Sequence, residues 1–387
     1  MKSGNNVSKF SNCYACGVCA ITCPVNAISS ILKDGFYHIS VDKSVCIDCG
    51  KCLKTCSYNL FSSPLQSEVY GSYSAWSRDV ETRYKSTSGG ILYEISKSAI
   101  SKGYKVVGVR YDYSENIAKH FIFDSLEGLA LATGSKYIQS YTLEALFGLT
   151  ASDKYVVIGL PCMIASLRRY IEIKNLKSNF ILIDFFCHGV PSYTFYWNYL
   201  SYLRNQIGPL SSIKFRSKRY GWQNSTSIEA VGSKGEYFRM MSKGDFFFNF
   251  FLRNRCLNPV CYDSCHFKAT SSLADIRVGD FWGTKYCKNE QGINSILTFT
   301  TKGEELLCHI QDACVINKEP ITEVLIGQMK TNAVRSKSYK IVSFLLSNNY
   351  SLQFIAFLAD IIDDTASFPQ RMSYYWHRLP YKLRLKK

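Results

Sequence analysis

Eight of the chain's 16 cysteines lie before residue 57, and they state one spacing twice. Cys13, Cys16, Cys19 and Cys23 run C-x2-C-x2-C-x3-C and are followed by Pro24. Cys46, Cys49, Cys52 and Cys56 repeat the run 33 residues later, with Ser57 where a second proline is expected. Three thiolates at such short intervals can grip three irons of one cubane, and the chain must then move away before it supplies another ligand. The fourth cysteine of each run therefore serves the other run's cluster. Cluster one takes Cys13, Cys16, Cys19 and Cys56; cluster two takes Cys46, Cys49, Cys52 and Cys23. Zinc sites favour paired C-x2-C knuckles across a longer loop, and disulfides do not explain a repeated spacing. Two [4Fe-4S] clusters are expected.

This run is the bacterial-type ferredoxin signature. Gly17 and Gly50 let backbone amides approach cluster sulfurs, a means of tuning potential. Two neighbouring clusters move single electrons and perform no bond chemistry, so another part of the chain, or a partner, must use those electrons. The start of the chain is polar and lacks the apolar core of a signal peptide. Thiols stay reduced in the cytoplasm, where clustered cysteines more often bind metal, and the chain is placed there.

Beyond a linker at residues 61–67 the composition changes. The expected fold is α+β and α/β: a small ferredoxin-like domain with two [4Fe-4S] clusters over 1–60, a larger α/β domain over 68–330, and a helical, basic C-terminal extension over 331–387. Apolar runs at 104–110, 155–160 and 180–186 read as buried strands; residues 90–102, 140–149, 162–173 and 192–205 read as helices. That alternation predicts a mainly parallel sheet. Residues 211–300 are less regular and read as an elaboration of the same domain. Residues 341–362 have helical apolar spacing broken at Asn348 and Asn349, which predicts a pair of packed helices or an interfacial anchor.

The formal net charge is +16, a value that raises nucleic acid or an anionic membrane as partner. The basic residues gather in two places: Lys214, Arg216, Lys218 and Arg219, and the tail Arg371, Arg378, Lys382, Arg384, Lys386 and Lys387. No helix-turn-helix, zinc finger or RNA-binding aromatic pattern accompanies them, so nucleic acid is not expected. Peripheral membrane contact through the tail stays open. Thiolate-held clusters also absorb positive charge: three would bring the formal value to about +10.

Several segments of the larger domain suit an anionic ligand and a redox centre. STSGG at 86–90 precedes a predicted helix, whose free amides can receive a phosphate, or it is an N-cap with a flexible turn. TGSKY at 133–137 offers Gly, a hydroxyl and Lys136 before a helix, or is a surface turn. Cys162 and Cys187 sit at predicted strand ends, where open α/β sheets bind ligands; Cys162 at a helix N-terminus would have a lowered pKa. Each is otherwise a small core residue. Cys256, Cys261 and Cys265 stand within ten residues and want a metal: a further [4Fe-4S] cluster, with Cys162 or Cys187 as fourth ligand, or zinc with help from His266. Cys287, Cys308 and Cys314 match no spacing and read as structural. The Lys214–Arg219 group suits an anionic substrate or cofactor tail as well as a solvent-facing strand.

In order, STSGG, GSKY, LPCMIASLR, FFCHGVPS, FRSKRYGW, the Cys256 group and ADIRVGDFWG resemble the beta-subunit family of coenzyme F420 hydrogenase and dehydrogenase. The resemblance is to bacterial members with an N-terminal dicluster domain, often described near polysaccharide-synthesis genes. It implies a flavin, usually FAD, beside a third [4Fe-4S] cluster. The implied flavin contacts are Ser86, Thr87, Ser88, Gly89, Gly90, Ser135 and Lys136. The implied ligands of the third cluster are four of Cys256, Cys261, Cys265, Cys187 and Cys162. Relatives commonly carry C-x2-C where this chain has Cys261-x3-Cys265. The implied activity is an iron–sulfur flavoprotein oxidoreductase that moves electrons between clusters and a flavin exchanging hydride with an unidentified substrate, F420 itself not being established. Its partner is a redox protein or reduced cofactor. The other reading is an electron-transfer subunit feeding a separate enzyme. Lys136 and His188, beside predicted pocket loops, are the catalytic candidates.

Overall fold

A computed structural model describes residues 4–61 and 67–364; the basic tail from Arg371 to Lys387 and most of the 61–67 linker lie outside the described residues. In the small domain each cysteine run turns into a short helix, Val18–Thr22 and Lys51–Thr55. Gly17 (φ +81°) and Gly50 (φ +71°) cap these helices in the left-handed region, where a side chain would be strained. Between the runs, Ile28–Lys33 and Phe36–Val41 pair as an antiparallel hairpin. Its Asp34–Gly35 turn, with both φ values positive, is the arrangement favoured by right-twisted strands.

Among the described residues the larger domain holds a nine-stranded sheet and a small antiparallel sheet of Leu210–Lys214, Ser227–Gly232 and Gly235–Met240; the nine strands form its centre. Across the sheet they run Cys314–Lys318, Gly71–Ser77, Asn294–Thr298, Ile276–Asp280, Phe180–Phe185, Lys154–Ile158, Tyr104–Asp112, Ile117–Phe123 and Ser140–Tyr141. The four strands from Ile276–Asp280 to Tyr104–Asp112 are parallel to one another, as the alternation predicts. Their neighbours are antiparallel on both sides, so the sheet is mixed rather than mainly parallel. Connectivity gives the reason for one pair: 104–112 and 117–123 are joined by a tight turn that leaves no room for a crossover helix, while the 281–293 connection between 276–280 and 294–298 holds only the 3-10 turn Thr284–Tyr286.

Side chains alternate across the strands and build two cores. Val106, Val156, Ile181, Ile183, Ile276 and Val278 face the helices Ile91–Ser101 and Thr301–Cys308. Val107, Tyr155, Val157, Phe180 and Leu182 face the helix Pro161–Ile173, and Val18 of the small domain joins this second layer. A third core is aromatic. There Tyr193, Phe195, Tyr196 and Tyr199 of the helix Tyr193–Ile207 meet Phe247, Phe250 and Phe251 of Phe246–Leu252.

The C-terminal helices Tyr339–Ser347 and Leu352–Asp363 break at the expected asparagines and bury Leu346, Ile355 and Ala359 in this aromatic core. Arg255, fully buried, binds Asp360 and Asp363, while Arg253 binds Asp360 and Asp364. No helix among the described residues is long and apolar enough to cross a membrane. The expected helix at 140–149 is shorter, Leu143–Phe147, because Ser140–Tyr141 is taken up as an edge strand.

One ion pair ties the centre of the sheet together. Asp184 and Arg277 lie in register on adjacent parallel strands, both without solvent exposure. Arg277 Nε and Nη2 donate to the carboxylate at 2.7 and 2.6 Å, Arg277 also donates to the Ala269 and Ser271 carbonyls, and Ser272 Oγ donates to Asp184. Removing one member leaves the other charge buried and unpaired. Asp184→Ala is expected to cost about 3–5 kcal/mol, read as a lower Tm. The double change Asp184→Leu with Arg277→Met is expected to recover most of the loss.

Candidate iron–sulfur site

The two cysteine runs fold so that their fourth members cross over. One cavity is lined by Cys13, Cys16, Cys19 and Cys56; a second is lined by Cys23, Cys46, Cys49 and Cys52. Backbone and side-chain donors already point at the sulfurs: Ala15 N to Cys13 Sγ and Ala27 N to Cys23 Sγ, both at 3.3 Å, and Asn6 Nδ2 to Cys46 Sγ at 3.7 Å. Such bonds set the potential of a cluster held there. Burial pushes the Cys13 thiol up to about 11 and Cys56 up to about 12. Cys19 is raised by burial and by its neighbours Cys16, Cys56, Cys13 and, across the two sets, Cys52.

A third group forms at the carboxyl ends of the central parallel strands. Cys162 follows the strand Lys154–Ile158 at the start of Pro161–Ile173, and Cys187 follows Phe180–Phe185. Partly buried Cys162 lies near Cys16, Cys187, Cys265 and Cys261, and Cys261 in turn lies near Cys187 and Cys265. These four gather; Cys256 does not join them. Cys256 is packed into the aromatic core with its carbonyl accepting from Ser192 N, held on the far side of the isolated bridge between Pro191 and Leu257. The five-cysteine group of the sequence thus separates into four neighbours and one core residue.

The helix N-terminus does not lower the Cys162 thiol as the sequence predicts. Burial and the surrounding sulfurs outweigh the helix dipole and raise it well above its ordinary value. Among the described residues no three His, Cys, Asp or Glu side chains converge closely enough for a single ion. A zinc ion would need its sulfurs about 2.3 Å from one centre. Cys314 is buried in the sheet core, while Cys287 and Cys308 are exposed.

The sequence segments at 86–90, 133–137, 214–219 and 275–283 are brought together, but not as an open phosphate cradle. Thr87 Oγ1 accepts from Ser135 N at 2.8 Å, joining the first two. Ser88 Oγ donates to Ile293 O, and the Ile91 amide is taken by Asn294 Oδ1. Gly89 is needed for close packing: a Cβ there would lie 2.5 Å from Ala75 O. The TGSKY segment follows the helix Leu126–Ala132 rather than preceding one, with Thr133 as its C-cap, and open space surrounds Gly134. Lys136 Nζ donates to the Ala132 and Thr133 carbonyls, and burial pulls its pKa down to about 7, where an amine exchanges protons readily. His188 has both ring nitrogens engaged, Nε2 with Asn254 Oδ1 at 2.8 Å and Nδ1 with Met329 Sδ, and it tilts over Phe251.

The basic segment is neither all outward nor all inward. Lys214 and Arg219 face solvent and Glu229, whereas Arg216 turns in to Asp280, Ser225 and Tyr137. Lys218 Nζ donates to three carbonyls, Arg83, Ser88 and Gln291, at 2.6–2.7 Å; burial and the nearby Arg83 lower its pKa to about 7. Arg83, which the sequence offers no motif to single out, is half of this clasp: it binds Gly292 O, Gln291 and Asn289. Beside it Trp222 and Trp282 stack at 4.8 Å with the Trp222 Nε1 buried and unpaired. The site therefore offers an anionic group the Arg83 and Arg216 guanidiniums and one orphan donor, while the Ile91 amide is already taken. Lys218→Met leaves three carbonyls without their donor, and the expected result is faster amide exchange at 83–90 and 289–294 with a stability loss of about 1–3 kcal/mol. Hydrogen exchange followed by mass spectrometry reads it.

Residues 12–60 match the family model described as the 4Fe-4S dicluster domain, and residues 152–324 match the model for the C terminus of the coenzyme F420 hydrogenase/dehydrogenase beta subunit. No curated protein matches the chain. Among solved structures, a chain of the xenon-derivatised F420-reducing [NiFe] hydrogenase complex from Methanosarcina barkeri is 17% identical, covering 76% of this chain and 94% of that one, with a TM-score of 0.46.

Proposed function

We propose that this chain, which joins a 4Fe-4S dicluster domain to a domain matching the F420 hydrogenase/dehydrogenase beta-subunit family, is an iron–sulfur electron-transfer oxidoreductase working beside a redox partner. The observation that carries the reading is the sorting of twelve cysteines into three sets of four. The sets are Cys23, Cys46, Cys49, Cys52; then Cys13, Cys16, Cys19, Cys56; then Cys162, Cys187, Cys261, Cys265. They are consecutive neighbours, linked by Cys52 beside Cys19 and by Cys16 beside Cys162. When bound, [4Fe-4S] clusters carry one electron each, and a flavin exchanges two as hydride or one at a time.

The chain's own residues support an order. The set with Cys49 is the most exposed, and Val45 and Ile47 stand out in solvent next to it, among Lys43, Lys51 and Lys54. That face suits a partner protein with an acidic, partly apolar docking surface. The third set lies at the sheet's carboxyl edge, where the segments carrying Lys136 and Lys218 also gather. A flavin reading is favoured there by the Arg83 and Arg216 guanidiniums, by the unpaired Trp222 Nε1 and by Lys136, whose lowered pKa fits proton exchange. Its contacts would be Thr87, Ser135 and Lys136, with Ser86 at the rim; Ser88, Gly89 and Gly90 are spent on packing and capping.

Anaerobic purification followed by iron, sulfide and flavin assays tests both readings. About 12 irons per chain are expected for three clusters; about 8 would remove the third. One flavin per chain supports the hydride reading, and its absence from freshly purified protein leaves the electron-transfer subunit. Cys256→Ala is expected to keep full iron content, whereas Cys187→Ala or Cys261→Ala is expected to lose about four irons. The reverse pattern would restore Cys256 as a ligand.

A further inference from the structure

The second cysteine run departs from the first at one position. Pro24 follows Cys23, but Ser57 follows Cys56. Pro24 is exposed, while Ser57 is completely buried against the larger domain. Its backbone N–H donates to Ser166 Oγ at 3.0 Å, a bond proline cannot make. Its hydroxyl donates to the Cys162 carbonyl at 3.0 Å, and Ser166 Oγ lies 2.8 Å from Ser57 Oγ. Ser166 sits one helical turn after Cys162 and lines the cavity of Cys13, Cys16, Cys19 and Cys56. Cys16 lines the same cavity.

The proton count makes this pair a directed device. Ser57 has one hydroxyl proton, given to Cys162 O, so Ser166 has one proton, donated here to Ser57 Oγ, and a second acceptor in the same cavity, Cys16 Sγ. A cluster ligand is a thiolate, the stronger acceptor of the two. We infer that Ser166 is a positioning residue whose hydroxyl turns onto Cys16 Sγ when that sulfur ligates a cluster, with Ser57 holding it in reach and tying it to Cys162. The pair then raises the reduction potential at the first set, because a donor at the sulfur favours the more negative reduced form. It also fixes the spacing between the first and third sets. This rests on the reading that both sets hold clusters.

The test uses the full chain, purified anaerobically and titrated with dithionite under electron paramagnetic resonance, with iron content measured on each sample. Ser166→Ala is expected to keep its iron and to shift one titration step toward the oxidised form by about tenfold, which is about 59 mV for one electron, leaving the other steps in place. Ser166→Thr retains the hydroxyl and is expected to titrate as wild type. Should Ser166→Ala yield no iron-loaded protein, Ser57→Pro is read in its place with the same expected shift, since it removes the N–H that holds Ser166. An iron-loaded Ser166→Ala that titrates within twofold of wild type overturns the inference, as does a Ser166→Thr that shifts like the alanine. A wild-type chain without iron overturns the cluster reading itself, an outcome distinct from an unmoved potential.

Discussion

Crowding many sulfurs out of water is the constraint on which the rest of this molecule depends. In the protein alone, burial and mutual proximity drive the thiols of Cys13, Cys19, Cys56, Cys162 and Cys261 upward. A ligand must nonetheless be a thiolate, so metal loading has to expel protons that the fold holds tightly. The same proximity that makes these sets unfavourable as bare anions makes them neighbours for electron passage. The surrounding structure follows from it: helices starting at Gly17 and Gly50, amides aimed at sulfur, and parallel strands that end together.

The cysteine repeat could be read directly because spacing is a one-dimensional record of a three-dimensional ring. Its crossover pairing, Cys56 with the first run and Cys23 with the second, matches the two cavities. The central strands were legible for a related reason: fully buried strands leave continuous apolar runs such as residues 155–158 and 180–183. Strand direction left no such record: the three strands read from the sequence are parallel, but Ile117–Phe123, which the sequence reading did not single out, follows Tyr104–Asp112 by a tight turn and pairs with it antiparallel.

The third group was harder to read for a physical reason. Cys256, Cys261 and Cys265 are close in sequence, yet the isolated bridge at Leu257 turns Cys256 toward the aromatic core while Cys261 and Cys265 face Cys162. Short spacing there reflects a chain that changes direction. The glycines of STSGG misled in the opposite way. Glycine permits close approach, but the sequence does not say whether a ligand or the neighbouring backbone will come near, and at Gly89 it is the backbone of Ala75. Arg83 and the carbonyl clasp of Lys218 carry no motif because so many of their partners lie more than a hundred residues away.

The hairpin of the small domain reaches across to the larger one. Gly35 O accepts from Tyr193 N at 2.7 Å, and a Cβ on Gly35 would sit 2.5 Å from Ser192 Oγ and Thr194 Oγ1. Tyr14 and Gln139 lock the same boundary, Tyr14 O accepting from Gln139 Nε2 while the Tyr14 hydroxyl donates to Ser264 O. A turn of the first domain thus supplies the opening hydrogen bond of the long aromatic helix of the second. Two segments that look like interchangeable modules in the sequence share hydrogen bonds and core contacts, and a ferredoxin without this turn, spliced at residue 60, would leave the first amide of that helix without its acceptor.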